Sequence, residues 1–338
     1  MRETGEPRNR LLEELQNDLP LSPHPFAEIG GRCGLSEAET IQATRQMLSE
    51  GLIREISSLL DGDKVGFKST LVALSVSKEQ IKPVIERINS HPGVSHNYLR
   101  DHPFNIWFTL SLARERGFAQ TVEGLAGAEK TMILPAIRTF KLRVHLRMQS
   151  DSETDLPERS GGGFGEPAAA AASMAQAQPP PLSDFERAVL ARLENPLPVE
   201  AQPWKTVSSA LEVDEQRLLD TVSELKQRGV IRRVAAVLRH RRVGFTANGM
   251  AVFRIPDSRI EEAGREAASF AEVSHCYQRK THREWPYSLY AMVHARTRQK
   301  CTALVESISR TVGCRDYQLL YSIRELKKQR IKYFGETR

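Results

Sequence analysis

The sequence predicts an α+β protein built from two tandem copies of one unit. The first observation is an internal repeat: residues 51–67 and 229–245 align without a gap, and residues 94–98 match residues 273–277. The second is that hydrophobic spacing changes from helical to alternating in the same order along each copy. We therefore expect two homologous halves that pair as an internal pseudo-dimer.

Each copy begins with the pattern of a winged helix-turn-helix. In the second copy, Ser183 can cap a first helix, residues 204–211 form a short one, and Asp214 caps a third that Gly229 closes. An alternating strand follows over residues 230–238. The first copy repeats this order over residues 11–15, 26–31, 36–50 and 52–60.

Each copy then continues with a βαββαβ pattern, which is ferredoxin-like. The predicted strands of the second copy cover residues 246–255, 271–280, 287–295 and 314–324, with helices over 257–269 and 297–311. In the third of these strands, Tyr287 should share one face with Leu289 and Ala291, and Tyr290 should share the other with Met292. Residues 322–330 are interpreted as a basic tail that ends the domain.

Five segments follow from these patterns. They are a winged helix-turn-helix over residues 1–65, a ferredoxin-like domain over 66–148, a flexible linker over 149–181 rich in Gly, Ala, Pro and Ser, a second winged helix-turn-helix over 182–243, and a second ferredoxin-like domain over 244–334.

Composition narrows the class of protein. Hydrophobic residues make up 40% and charged residues 27%, which is typical of soluble globular proteins. No stretch is apolar enough for a membrane helix, and the N-terminus lacks the apolar core of a secretory signal. The four cysteines form no CxxC pair, which favours free thiols in a reducing compartment. We expect a cytoplasmic protein.

The positive charge is concentrated in the second half. Residues 182–338 contain 28 Lys and Arg against 19 Asp and Glu, a net charge of +9 within a chain whose total is +6. Such a half suits a polyanion, either a nucleic acid or a small molecule with many carboxylates or phosphates.

Several long segments resemble the siroheme decarboxylase family. Residues 232–253, 272–279, 283–294 and 322–334 resemble its L-type or B-type subunit, and residues 97–110 and 134–144 resemble the partner D-type or A-type subunit. The chain thus resembles a natural fusion of the two subunits. Its domain order also resembles the leucine-responsive (Lrp/AsnC) regulators, which normally dimerise from single units.

The resemblance implies non-oxidative removal of the C12 and C18 acetate carboxyl groups of siroheme as CO2. The product would be didecarboxysiroheme, on a route to haem d1 or to haem by an alternative pathway. No added cofactor is implied, because the iron belongs to the siroheme substrate. Whether further siroheme decarboxylase subunits are required is left open by the resemblance.

Cationic and aromatic residues of the second half suit such a substrate. Siroheme carries eight carboxylates, and the planar guanidinium group of Arg binds a carboxylate through two parallel hydrogen bonds. The candidates are Arg239, Arg241, Arg242, Arg279, Lys280 and Arg283. Tyrosine offers a macrocycle an apolar face with a polar tip. The candidates of this kind are Tyr277, Tyr287 and Tyr290.

Histidines are the candidate proton donors, because loss of CO2 leaves a carbanion-like methylene that must be protonated. We assign catalysis to His240 and His275, and substrate binding to His294; any of them could also be an axial ligand to the siroheme iron. Each of these candidates also has a purely structural or different interpretation. His275 and His294 could be sheet histidines whose hydrogen bonds are made within the protein, and the tyrosines could belong to the hydrophobic core. Residues 239–242 could form a solvated wing tip or contact DNA phosphates.

The first half departs from the second where the cationic cluster would lie. Asp61 and Asp63 stand in the region equivalent to residues 239–242, and these acids would repel a polycarboxylate. Arg100, His102 and Arg138 remain the contributions expected from the first half.

Two other functions fit parts of this sequence. A DNA-binding regulator should show basic or amide side chains at the start of its recognition helix, whereas these helices start with acids, at Glu37 and at Asp214 and Glu215. This argues against DNA binding. A tetrapyrrole-binding protein without turnover would share the same pocket, and the sequence does not separate it from an enzyme.

Overall fold

The computed structural model describes residues 5–127, 130–142, 181–238 and 247–335. Within these ranges it confirms the α+β class, with a helix-turn-helix, a wing and a βαββαβ sheet in each half. Most of the linker predicted over residues 149–181 lies outside them, and so do residues 239–246.

The first unit contains the elements α1 (Gly5–Glu14), α2 (Pro25–Cys33), α3 (Glu37–Ser49), β1 (Ile53–Leu60), β2 (Phe67–Ser75), α4 (Ile81–Ser90), β3 (Val94–Arg100), β4 (Ile106–Ala113), α5 (Phe118–Ala126) and β5 (Lys130–Leu142). A short 3-10 turn at Asp63–Val65 joins β1 to β2.

The second unit repeats this order with α6 (Asp184–Leu193), α7 (Pro203–Ala210), α8 (Glu215–Gln227), β6 (Ile231–Leu238), β7 (Ala247–Phe253), α9 (Ile260–Ser269), β8 (Val273–Arg279), β9 (Leu289–Ala295), α10 (Arg298–Thr311) and β10 (Tyr317–Lys328). None of the helices in the described part of the chain is long and apolar enough to cross a membrane.

Local sequence signals set the helix ends. Ser36 and Ser183 each form a capping box with the glutamate three residues later. Asp214 caps α8 by accepting from the amides of Gln216 and Arg217. Glycine stands after α3 and α8 in the left-handed region, with φ of 70° at Gly51 and 67° at Gly229, which turns the chain into each wing.

The two wings pair with each other. Strands β1 and β6 form a two-stranded antiparallel sheet that joins the halves. The amide of Leu19 donates to the carbonyl of Val234 at 2.7 Å, and the amide of Leu197 donates to that of Ile56 at 2.7 Å. Each helix-turn-helix is therefore bonded to the wing of the other unit, and both share one apolar core.

The strands of the two βαββαβ patterns close into one eight-stranded barrel. Closure depends on the two long last strands. Residues 130–135 of β5 pair with β2, and residues 136–142 pair with β8 of the other half. Likewise β10 pairs first with β7 and then, over residues 322–328, with β3. The interpretation of residues 322–330 as a basic tail was therefore wrong, because most of this segment completes the barrel.

The two faces of the barrel wall have different roles. Leu289 and Ala291 pack outward against the helices, whereas Tyr290 and Met292 face the interior. Tyr287 belongs to the interior cluster with Tyr290, so its predicted place beside Leu289 was wrong. The reason is that β9 begins only at Leu289, and strand alternation does not apply before it.

The interior has an apolar end and a polar end. Trp107, Trp285 and Tyr290 fill the apolar end. The polar end lies where β2 and β7 begin, immediately after the wings, and we call it the wing-side end. Its side chains come from strand residues near that end: Ser69, His96, Ser111, Asn248, His275 and His294.

Trp204 is expected to be a large contributor to stability. It is fully buried in the shared helix-turn-helix core, and its Nε1 donates to the carbonyl of Pro20 in the other unit at 3.1 Å. We expect Trp204→Ala to cost about 3–5 kcal/mol, because it opens a large cavity. Urea unfolding followed by far-UV circular dichroism measures this. The neighbouring exposed variant Lys205→Ala should change stability by about 0.5 kcal/mol or less, and equal effects of the two would contradict the prediction.

Candidate active site

Strand β8 lines the barrel interior with three of the predicted residues. His275, Tyr277 and Arg279 alternate along it, and the first two lie opposite the interior residues Met292 and Tyr290 of β9. The ring centroids of His275 and Tyr277 lie 6.2 Å apart. The guanidinium carbon of Arg279 lies 4.8 Å from the centroid of Tyr277 and 5.6 Å from that of Tyr290. The structure thus brings together an imidazole, aromatic faces and a cation.

A hydrogen-bonded chain joins the two histidines of the second half. The Oδ1 of Asn248 lies 2.6 Å from Nδ1 of His294, so this nitrogen carries hydrogen. In the neutral ring, Nε2 of His294 then accepts from the hydroxyl of Ser274 at 2.6 Å. The Ser274 oxygen in turn accepts from Nδ1 of His275 at 2.7 Å. His275 therefore presents an Nε2 atom with a free lone pair, ready to take up a proton.

The charge state of His275 is set by its surroundings. Burial, together with the positive charges of Arg279, Lys328 and Arg232, lowers the pKa of His275 to about 4. The ring is consequently neutral near pH 7 in the protein alone. A carboxylate placed beside it would favour the imidazolium and raise this pKa.

Arg279 is a cation held inside the protein. Its Nη1 donates to the carbonyl of Leu134 at 2.8 Å, while its buried Nε has no hydrogen-bond partner. Burial lowers its pKa, and the neighbouring Tyr277 and Tyr290 oppose that shift. Within the described ranges, no carboxylate pairs with this guanidinium.

Arg100 occupies the equivalent place in the first half. It is only 4% exposed, its Nη1 donates to the carbonyl of Leu320 at 2.6 Å, and its Nε is buried without a partner. Burial lowers its pKa to about 10. In the part of the chain that the structure describes, it too lacks a carboxylate partner.

Most of the other predicted residues lie away from His275, although Tyr290 also lies beside Arg279. Tyr287, Tyr290 and His102 belong to the apolar end, where Tyr290 accepts from Nε1 of Trp285 and the ring of His102 packs edge-on to Trp285. Lys280 and Arg283 are exposed at the turn after β8. Arg138 is paired with Glu261. His240, Arg239, Arg241 and Arg242 lie outside the described residues, so their assignment stays a prediction.

The two acids of the first half, Asp61 and Asp63, have different contacts. Asp61 accepts from Arg232 at 2.9 Å, which joins the connection after β1 to the opposite wing. Asp63 lies 3.9 Å from Arg114. The Asp61 carboxylate therefore joins the two wings, whereas Asp63 is exposed and lies near an arginine of its own half.

Sequence reasoning missed Asn248, Ser274 and His96. Ser274 and Asn248 carry no signal of their own, since their role appears only when β7, β8 and β9 are side by side. His96 did have a signal, because it matches His275 within the aligned residues 94–98 and 273–277. Among the residues that the structure describes, no three His, Cys, Asp or Glu side chains form a group that could hold a metal ion.

The lowered pKa of His275 predicts an acid-dependent loss of stability. The folded pKa of about 4 lies below the ordinary value of 6.5, so the contribution is fully present above pH 6.5 and is lost as the pH falls toward 4. Urea unfolding at pH values between about 4 and 7 measures it. The variant His275→Asn, which does not titrate, should lose less stability over this window. Identical pH dependence in both proteins would contradict the prediction.

Comparison with known proteins first defines the class. Residues 64–141 and 242–327 match the family model of the AsnC-like ligand binding domain. Residues 8–54 and 186–232 match the siroheme decarboxylase NirDL-like HTH domain. The fold and these matches define a tandem protein of helix-turn-helix units with AsnC-like ligand-binding domains.

Full-length relatives then identify the family. The chain is 34% identical over 336 residues to the siroheme decarboxylase of Hydrogenobacter thermophilus, covering 98% of this chain and 96% of the relative. It is 29% identical over 294 residues to the siroheme decarboxylase NirDL subunit of Paracoccus denitrificans, covering 85% and 84%. The siroheme decarboxylase beta subunit of Methanosarcina barkeri matches 43% of this chain at 40% identity. The chain belongs to the siroheme decarboxylase family, and its predicted fused arrangement is confirmed.

Solved structures agree over the whole length. The crystal structure of the siroheme decarboxylase NirDL superposes with a TM-score of 0.73 at 31% identity, covering 98% of this chain and 95% of that chain. The same protein in complex with an iron-uroporphyrin III analogue gives a TM-score of 0.71. That complex shows a tetrapyrrole bound to a protein of this architecture.

Proposed function

We propose that this protein is a siroheme decarboxylase, a carbon–carbon lyase of the carboxy-lyase class. It removes the C12 and C18 acetate carboxyl groups of siroheme and forms didecarboxysiroheme for haem d1 or alternative haem synthesis. In each step the bond between the methylene and the carboxyl carbon breaks, CO2 leaves, and the electron pair stays on the methylene. One proton then converts that methylene to a methyl group. No oxidant is consumed, and the only iron involved is that of the substrate.

The observation that carries this proposal is the pair of internal arginines. Burying a cation without a counter-charge costs several kcal/mol, and neither Arg100 nor Arg279 has a carboxylate partner within the described ranges. A ligand rich in carboxylates supplies the missing charge. The aromatic rings of Tyr98 and Tyr277, which lie beside these arginines, suit a flat macrocycle.

His275 supplies the proton that the methylene needs. In the protein alone it is neutral, with Nε2 unprotonated. Binding of siroheme brings carboxylates toward it and raises its pKa, so the ring takes up a proton from water. Ser274 and His294 hold the ring by its Nδ1 atom and keep Nε2 available. His240 remains the second candidate donor predicted from the sequence.

We also infer that the helix-turn-helix units do not bind DNA. Both presumed recognition helices begin with acidic side chains. In addition, the wings are joined to each other, which leaves neither one independent. A gel-shift titration with genomic DNA fragments at low salt should show only weak binding without sequence preference; tight, sequence-specific binding would overturn this inference.

The test of the function is anaerobic incubation of the purified chain with siroheme, followed by mass spectrometry of the tetrapyrrole. Loss of two CO2 per siroheme establishes the activity and shows that one kind of chain suffices. Siroheme that binds without losing CO2, even after a second purified family member is added, would instead favour a protein that binds tetrapyrrole without turnover.

A further inference from the structure

We propose that the first half carries a second reaction site, formed by His96, Tyr98 and Arg100, so that each half decarboxylates one acetate of the same siroheme. This inference rests on the proposed function. From the acidic residues at 61 and 63, only a supporting role is predicted for the first half. The strand residues lead to a different conclusion.

The first observation is that the two halves match in geometry as well as in residue type. Nδ1 of His96 lies 2.9 Å from Oγ of Ser95, as Nδ1 of His275 lies 2.7 Å from Oγ of Ser274. The ring centroids of His96 and Tyr98 lie 6.3 Å apart, against 6.2 Å for His275 and Tyr277.

The arginines repeat the same arrangement. The guanidinium carbon of Arg100 lies 5.5 Å from the ring of Tyr98. Both Arg100 and Arg279 donate through Nη1 to a carbonyl of the long strand that crosses between the halves, at Leu320 in β10 and Leu134 in β5. Both leave Nε buried without a partner. A merely structural arginine would require only the carbonyl contact, whereas a free Nε is a donor ready for a ligand carboxylate.

The second observation places both histidines around one region. Lys328 lies opposite His96 in the register of β10 with β3. Its charge also contributes to the lowered pKa of His275. Both imidazoles are therefore at the wing-side end of a single barrel. Since the pseudo-twofold relation places them on opposite walls, one macrocycle held between them presents different substituents to each.

The two sites differ in one respect. The pair Asn248 and His294 of the second half is replaced by Ser69 and Ser111, whose hydroxyls lie 2.6 Å apart. His275 thus belongs to a hydrogen-bonded chain with a second imidazole, whereas the corresponding pair in the first half consists of two serines. Two sites with different hydrogen-bonding groups fit two decarboxylation steps on acetates at different positions of the ring.

The experiment follows CO2 loss from siroheme under anaerobic conditions for the wild type, His96→Asn, His275→Asn and the double variant. We expect His96→Asn to accumulate a tetrapyrrole that has lost one CO2, with the second loss slowed by about 10²–10⁴-fold. His275→Asn should accumulate the other single-loss isomer, distinguished by chromatography and NMR. The double variant should release no CO2. The control His24→Asn, exposed in the first helix-turn-helix, should behave as the wild type.

Three results would overturn the inference. They are His96→Asn forming the final product at the wild-type rate, both losses slowing by the same factor in His96→Asn, and both single variants accumulating the same isomer. A wild-type chain that releases no CO2, even after a second purified family member is added, would contradict the proposed function itself. This outcome is seen in the wild type alone and so is distinct from the results for His96→Asn. Siroheme titration of each variant by absorbance shows whether the variant still binds siroheme. A low rate can then be attributed to slower decarboxylation and not to loss of binding.

Discussion

Replacing His275 by Asn should leave siroheme bound while the rate of didecarboxysiroheme formation falls by about 10²–10⁴-fold, the usual contribution of a positioned general acid. Asparagine keeps a donor toward Ser274 and so preserves the local hydrogen bonding, but it carries no titratable proton. The measurement is single-turnover formation of product with excess enzyme, quantified by mass spectrometry, beside an absorbance titration for binding.

The pH profile separates a proton donor from a structural histidine. If binding of siroheme raises the pKa of His275, the wild-type rate should fall as the pH rises above that raised value, because the imidazolium is lost. Residual activity of His275→Asn should lack this limb. An unchanged rate in His275→Asn, or the same high-pH limb in both proteins, would show that another group supplies the proton.

Replacing Arg279 by Met should weaken siroheme binding by about 2–5 kcal/mol, the cost of truncating one partner of a buried charge pair. This corresponds to an increase in Kd of roughly 30-fold or more. The physical reason is that Arg279 meets no carboxylate within the described residues and therefore depends on the ligand for its counter-charge. Anaerobic absorbance titration measures the change.

Two further variants test whether the effect comes from the charge and shape of the Arg279 side chain. Arg279→Lys retains the charge but loses the planar fork, so its Kd should lie between those of the wild type and Arg279→Met. Arg283→Met removes an exposed arginine four residues away and should change Kd little. A folded Arg279→Met protein that binds siroheme like the wild type would refute a carboxylate-binding role for this residue. Thermal unfolding of each variant shows whether the loss of the bond to Leu134 has disturbed the barrel.

The order of elements was accessible from sequence because its causes are local. Capping residues such as Ser36 and Ser183, closing glycines and hydrophobic spacing act within a few residues, and all produced the predicted helices. The internal repeat determined that two alike units exist, and the long matching segments determined the family. The basic excess of the second half and the acidic starts of α3 and α8 likewise follow from the sequence alone.

The arrangement of the site was decided by pairings far apart in the chain. Nothing local marks the point in β5 or β10 where the strand leaves one half for the other, so closure of the barrel and the role of residues 322–328 were not predictable. The same holds for Ser274, which acquires its function only because β9 places His294 beside it.

The sequence by itself determined two similar units, their secondary structure and a chemistry of arginine, histidine and tyrosine for a polycarboxylate. Tertiary structure decided which of these residues act together. It set His275, His294 and His96 at one end of a shared interior and placed Tyr287 and His102 at the other. It left the buried guanidinium of Arg100 and the largely buried one of Arg279 without a carboxylate among the described residues. Burial and charge pairing depend on neighbours that strand registry brings together from both halves of the chain.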